Sequence, residues 1–400
     1  MGGDEIAIRL VTSVAEIGRD DWDRVARGDG AHADGRPADP FLAYDFFHAL
    51  EASGSASPAT GWHPRHLVID GAAGRPVAIL PTWAKSHSQG EYVFDHGWAQ
   101  AYERAGGRYY PKLQVSVPFT PVTGPRLLVA AEAAERPALK AALVAGLEAL
   151  TERAGVASAH ATFLDAADRA VFADAGWSLR HDRQFHFPNR GYRDYRDFLT
   201  TLLGRKRKQL ARERREAQAG LDIVALTGAD LDEAAWDAFF AFYMDTGSRK
   251  WGRPYLNRTF FSMIGETMAD RMVMMVARDG GRPIAGALNF IGTEALYGRW
   301  WGALDQRPFL HFELCYHRAV DWAIDHGLAR VEAGAQGEHK LARGYLPVET
   351  TSAHLIRDPA FRQAVDRFLA HERAEIAALD ADLMAQTPYA DRMGTAIERP

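Results

Sequence analysis

The segment Phe309–Pro347, FLHFELCYHRAVDWAIDHGLARVEAGAQGEHKLARGYLP, reads as a helix, a tight turn, a buried strand and a loop dense in polar groups. Leu314, Ala319, Val320, Trp322 and Ala323 recur at helical spacing, and Gly327 follows as a helix-ending glycine. Leu328-Ala-Arg-Val-Glu-Ala-Gly is then a strand, with Glu332 inside it or at its end. The loop beyond carries Gln336, Glu338, His339 and Lys340, groups that move protons or bind anions, and two glycines let its backbone approach a ligand closely. Taken alone, a GEHK string fits a solvated surface loop just as well, so the rest of the chain has to decide.

The same pattern occurs earlier. Leu143–Leu164 aligns with Leu314–Ala335, each an amphipathic helix, a glycine turn and a buried strand. The hairpin Arg65–Pro81, turning at Gly71–Gly74, likewise matches Met272–Leu288, turning at Asp279-Gly-Gly. Two copies of one α/β module with mixed sheets are therefore predicted. The N-terminal module covers 1–190, with an inserted aromatic and polar loop at about 85–126. The C-terminal module covers 191–358 and opens with a basic helix at about 196–219; a C-terminal helix and tail fill 359–400. Long ordered loops often bind ligands, so Tyr92, Tyr110 and Lys112 in the insert are expected substrate contacts; the structural alternative is that its aromatics pack on their own domain.

At 400 residues the chain exceeds one ordinary core, in keeping with two modules. A formal charge of −5 excludes a general nucleic-acid coat, which leaves local basic patches to consider. The single cysteine, Cys315, cannot form an intramolecular disulfide and fits a reducing compartment. It falls on the apolar side of its helix and is read as a buried inert thiol. No apolar run approaches the ~20 residues that cross a bilayer, and the N-terminus lacks the pattern of a secretion signal, so a cytoplasmic location is expected. His311-x-Glu313 and His63-x-x-His66 have no further ligands nearby in sequence, and no metal is predicted.

Positive charge concentrates in GRKRKQLARERREAQAG, where Arg205, Lys208, Arg212 and Arg215 share one helical face and Lys206 lies beside them. A phosphate- or RNA-binding face is expected there, against the alternative of a plain solvated helix. Lys250, Trp251 and Tyr255 crowd a loop further on and are expected to touch substrate. In the strand Glu294–Ala303, simple alternation puts Tyr297, Arg299 and Trp301 on one side and Leu296 and Trp300 on the other.

A hairpin, a longer strand, a helix, a strand and a polar loop resemble the acyltransferase module of the GNAT superfamily. Two such modules in tandem, with a basic helix leading into the second, resemble the FemAB-like family, which adds amino acids to peptidoglycan precursors. The stretches that carry this are GRKRKQLARERREAQAGLDIV, GRPIAGALNFIGTEALYGRWWGAL and FELCYHRAVDWAIDHGLARVEAGAQGEHKLARGYLP. YYPKLQVSVPFTPVTGP and EAGAQGEHKLARGYLP are similar to the peptidoglycan biosynthesis/recognition members, also described as predicted N-acyltransferases. The resemblance implies an N-acyltransferase that moves an aminoacyl group from aminoacyl-tRNA to an amine, such as that of a peptidoglycan precursor. No covalent enzyme intermediate and no cofactor beyond the donor substrate are implied. It also implies a carbonyl site where two central strands splay, near Tyr297–Trp301 and Val331–Gly334. Glu332, Glu338 and His339 are then candidate bases, Lys340 an anion or charge contact, and Arg299, Trp301, His311 and Glu313 the lining of the approach. For His311 and Glu313 the alternative is a pair that caps the helix start. One departure stands out: Asp305-Gln-Arg-Pro-Phe-Leu-His-Phe-Glu-Leu lacks the glycines with which GNAT enzymes hold a CoA pyrophosphate. An acyl-CoA-dependent enzyme with a non-standard loop, and a non-catalytic protein that binds precursor or tRNA, remain the alternatives.

Overall fold

The computed structural model describes residues 6–250, 254–335 and 337–390, apart from the side chains of Lys250 and Glu338. These residues form two compact units, 6–182 with 350–376 and 183–349 with the segment from 377. The borders expected at 190 and 358 thus fall at 182 and 349. The last helix contributes to both units instead of standing apart. Among the described residues no helix is long and apolar enough to cross a membrane.

The first unit runs β1 (Ile8–Val11), α1 (Arg19–Ala26), α2 (Tyr44–Ala52), β2 (Trp62–Pro64), β3 (His66–Asp70), β4 (Pro76–Leu80), β5 (Thr82–Lys85), α3 (His96–Arg104), β6 (Lys112–Val115), β7 (Leu128–Val129), α4 (Arg136–Arg153), β8 (Ser158–Ala161) and α5 (Ala166–Asp174). One sheet has the order β1-β3-β4-β7. In the other, β2, β5, β6 and β8 lie side by side, and the chain's last strand, Leu346–Ile356, pairs with β8. The hairpin β3–β4 forms where predicted. After it Pro81, which has no N–H to give a ladder, ends β4, and the chain enters the second sheet as β5. Leu143, Val144 and Leu147 of α4 cover the apolar face made by Leu113, Val115, Ala159 and Ala161. The insert expected to be a loop thus contributes two regular elements within its loops, α3 and β6, and β6 lies parallel to β8.

The second unit takes in β9 (Ser178–Pro188), α6 (Tyr195–Thr200), α7 (Gly204–Gln218), β10 (Asp222–Thr227), α8 (Glu233–Lys250), α9 (Arg258–Met268), β11 (Met272–Asp279), β12 (Arg282–Ile291), β13 (Ala295–Ala303), α10 (Leu310–Phe312), α11 (Arg318–Asp325), β14 (Arg330–Glu332), β15 (Leu346–Ile356) and α12 (Pro359–Ala385). The sheet order is β10-β11-β12-β13-β14-β9. The predicted basic helix is two helices, because Leu202 is buried and the Leu203 N–H donates to the Pro388 carbonyl at 2.9 Å. Between α10 and α11, Glu313–His317 is a π-turn, a widened stretch of otherwise continuous helix.

Two local features shape the centre of this sheet. Asn289 pairs with Gly298 and Leu288 with Trp300, so Arg299 is the extra residue of a β-bulge. The bulge reverses the alternation expected across it. Leu296 and Trp301 face the helix α11 core together, while Trp300 packs on Phe260, Phe261 and Phe290. Aligned by the repeat, Pro81 of the first module matches Leu288 on β12, the residue beside which the neighbouring strand β13 gains its extra residue. On the Trp300 side, α8 presses backbone to backbone on β13. A β-carbon on Gly302 would come within 2.2 Å of the Phe242 carbonyl carbon and oxygen. Gly302→Ala should accordingly lower stability by about 1–3 kcal/mol through overpacking, read as an earlier urea midpoint. An unchanged midpoint would show that α8 can back away.

Candidate active site

Strands β13 and β14 are parallel and pair only over Ala295–Tyr297 and Arg330–Glu332, after which they part. Strand β13 runs on to Ala303, and beyond its end a cavity of about 450 Å³ opens, lined by Thr246, Arg249, Trp301, Asp305, Arg307 and His311 among others. Phe309, with φ of 58°, turns the chain into α10 and sets His311 at the cavity lip. The His311 ring lies 5.0 Å from Trp301 and 6.3 Å from His339. The Tyr316 hydroxyl, from the π-turn, is 3.1 Å from His339 Nε2. His339 itself is exposed, and its ring lies against Gly337, where a β-carbon would fall 2.3 Å from the imidazole. With φ of 105° as well, Gly337 is a position that only glycine fills comfortably.

The structure thus brings Trp301, His311 and His339 together and sets other predicted residues apart. Glu332 is buried, bonded to Arg330 at 2.9 Å, with His186 Nε2 at 3.7 Å from its second oxygen. Tyr297, Glu332 and His186 are paired in one row across β13, β14 and β9, and burial lowers the His186 pKa. Glu313 is not a lining group. It is fully buried and takes two hydrogen bonds from Arg214, of 3.0 and 3.1 Å, and one from Gln218 of 2.8 Å. Lys340 does not await an anion: it is buried, and its ammonium donates to the Ala333 and Gly334 carbonyls at 2.6 and 3.0 Å, closing the loop after β14. Arg299 is placed by the bulge, its guanidinium 5.4 Å from the Trp300 ring. Tyr255 is exposed, whereas the Lys250 and Glu338 side chains, Trp251 and Gln336 lie outside the described residues. Cys315, expected to be buried, is half-buried.

In the first unit the insert turns its polar groups inward. Lys112 is buried and donates to Ser88 Oγ at 2.8 Å, Glu91 at 2.7 Å and Asp95 at 2.5 Å. Tyr110 is half-buried, with its hydroxyl on Ser88, and Tyr92 is half-buried at φ of 59°. Burial pushes the Glu91 carboxyl up to about 7; against the same cost, the Lys112 ammonium holds Asp95 well below the usual carboxylate range. Lys112 is therefore a buried ion-pair partner, not a surface contact.

Helix α7 has two sides. Arg205, Arg207, Lys208, Arg212 and Arg215 are exposed, and Lys206 is half-buried; none of the six has an ion pair with a described residue. The inner side carries residues that the sequence did not single out. Glu213 is buried between Leu210 and Ala217 and bonds Arg343 at 2.6 Å, and Arg214 bonds Glu313 and Asp321. The signal was there, since Leu210, Glu213 and Ala217 stand at i, i+3 and i+7, an acid in a core stripe. The cations at the cavity differ, for Arg249 pairs with Asp245 and Arg307 with Asp279.

Burial pushes the Lys340 ammonium down to about 8. The folded chain then releases this proton before the unfolded chain does, so the contribution is flat below about pH 8 and stability rises from there toward the ordinary lysine range. Lys340→Met should remove that rise from urea unfolding measured across pH 7–10; an identical pH slope in both proteins would contradict the assignment.

A family model described as FemAB-like, peptidoglycan biosynthesis/recognition, matches residues 13–391. No curated protein matches the chain significantly. Among solved structures, FemX is 12% identical, with a TM-score of 0.51 over 88% of this chain and 98% of that one. The C-terminal domain of a putative lysylphosphatidylglycerol synthetase from Agrobacterium fabrum is also 12% identical, with a TM-score of 0.49 over 88% and 96%. A tandem GNAT protein from the clavulanic acid biosynthesis pathway is 14% identical, with a TM-score of 0.46 over 89% and 99%. At such identities a structural likeness speaks to fold alone, and the FemX match carries it. The acyltransferase class comes with the family, whose model spans nearly the whole sequence: the chain belongs to the FemAB-like family.

Proposed function

We propose that the protein transfers an aminoacyl group from aminoacyl-tRNA to the amine of a peptidoglycan precursor, by direct attack and without a covalent enzyme intermediate. The observation that supports this donor is the contrast between two sets of cations. Those at the cavity already have carboxylate partners, whereas the outer row of α7 is exposed and free of described ion pairs. From Arg205 to Arg215 the row is about 15 Å long at 1.5 Å per residue, a length suited to a nucleic-acid backbone more than to one pyrophosphate. Phosphates then belong on α7, and the acyl group in the cavity beside Trp301 and His311.

An attacking ammonium must lose a proton, and a base has to stand at the mouth of the site. His339 is exposed, its ring 6.3 Å from that of His311, and is steadied through Nε2 by Tyr316. His311 stands at the lip next to it. Glu332, engaged with Arg330 and lying in the polar row, serves the position of β14 and is the weaker choice. A bound aminoacyl group with its own ammonium would meet Asp305, which also lines the cavity.

Incubation of the pure protein with an amine acceptor and either aminoacyl-tRNA or acyl-CoA separates the donors. Turnover is expected with the tRNA alone; turnover with acyl-CoA alone reverses the assignment, and binding without turnover by either removes the enzymatic reading. His339→Ala should lower kcat about 10²–10⁴-fold, the range of a general base, with donor affinity nearly unchanged. Arg205→Glu, Lys208→Glu and Arg212→Glu should each reduce the slope of log K against log salt by about 0.7–0.9 for every phosphate no longer neutralised. Slopes equal to wild type would return α7 to a solvated face.

A further inference from the structure

Two neighbouring residues on the inner side of α7 reach the two separate segments that carry the histidines. Glu213 takes a hydrogen bond from Arg343 Nη2 at 2.6 Å. Arg343 in turn donates to the His339 carbonyl at 2.7 Å and lies 3.4 Å from the centre of the Phe312 ring. Arg214 binds Glu313 through two nitrogens, and Asp321 through Nη2 at 2.6 Å. Glu313 begins the π-turn, two residues after His311 and three before Tyr316, which holds His339. Arg318 Nε lies 3.0 Å from Glu313 Oε1, a contact five residues along that matches the π-turn spacing. Glu213, Glu313 and Arg343 are each at most 4% exposed. Charges so buried are held by their partners, and removing one leaves the other uncompensated.

We propose that Glu213 and Arg214 are positioning residues that tie the cationic row of α7 to His311 and His339, so that a polyanion on the outer face sets the geometry of the two imidazoles. The inference rests on the reading of α7 as the donor's phosphate face and of the histidines as the reacting pair. Neither residue touches substrate. Glu213 acts through Arg343 on the turn that carries His339, and Arg214 acts through Glu313 on the helix start that carries His311. A widened helical turn can shift between packings more readily than a regular one, and the two ion pairs fix one arrangement.

Histidine-ring NMR of the full chain, assigned with His311→Gln and His339→Gln, tests this with uncharged tRNA as the probe. In wild type, tRNA should shift both signals. In the Glu213→Gln/Arg214→Met protein both shifts should vanish while the Kd for tRNA stays within twofold. With a turning-over donor the same protein should lose at least 10-fold in kcat at little change in KM. Glu213→Asp and Arg214→Lys keep the charges but shorten or reshape the links, and each should at least halve the shifts; they carry the test if the double variant does not fold. Bound tRNA that leaves the wild-type signals in place, or shifts that persist in the variants, would overturn the coupling alone. Absence of tRNA binding would overturn it together with the donor assignment, and absence of turnover with the shifts intact would overturn only the enzymatic reading.

Discussion

The second unit depends on how briefly β13 and β14 hold each other. Parallel neighbours need a crossover between them, here α10, the π-turn and α11, and that crossover sets the helix start beside the strand ends. Had the ladder continued past Tyr297 and Glu332, the backbone would have satisfied itself and closed the mouth. Instead the bulge at Arg299 twists β13 away, α8 seals its far side at Gly302, and after β14 the Lys340 ammonium donates to the carbonyls of Ala333 and Gly334, the latter also accepting the Phe185 N–H. A buried lysine is thus used to finish a strand end, and that is why the loop after it can present His339 outward.

Helices and hairpins were legible in the chain because their signals are local. The hairpin β3–β4 and its counterpart β11–β12, the α4 and α11 stripes and the glycine turns all fall where periodicity puts them. What could not be read is whatever depends on a distant partner. Glu313 looks like an acid at a helix start until Arg214, 99 residues earlier in the chain, is seen to hold it. Lys112 looks like a loop cation until it meets Glu91 and Asp95, 21 and 17 residues before it. The bulge at Arg299 is announced in YGRWWG by no proline or turn pair, only by the in-strand Gly298 beside it, and a single extra residue is enough to put Leu296 and Trp301 on one face.

The candidate site follows the same division. Its place, past the second helix–strand unit, was readable from the repeat, because only that copy follows its strand with GEHK. The membership was less so: His311, Trp301 and His339 meet through the turn at Phe309 and the packing on Tyr316, neither of which is a periodic feature. The exposed side of α7 was read from spacing, while its buried side, with opposite charges at adjacent positions, is what ties it to the rest of the unit.

The proline that ends β4 has a consequence for how the first module breathes. In the second module one unbroken strand, β12, carries hydrogen bonds from the hairpin to the centre of the sheet. In the first, Pro81 cuts that ladder, leaving β1-β3-β4-β7 and the sheet around β6 joined by packing on α4 but by no shared strand. Amide exchange in the two sheets is then governed by separate openings, and the duplicated module has traded one cooperative sheet for two.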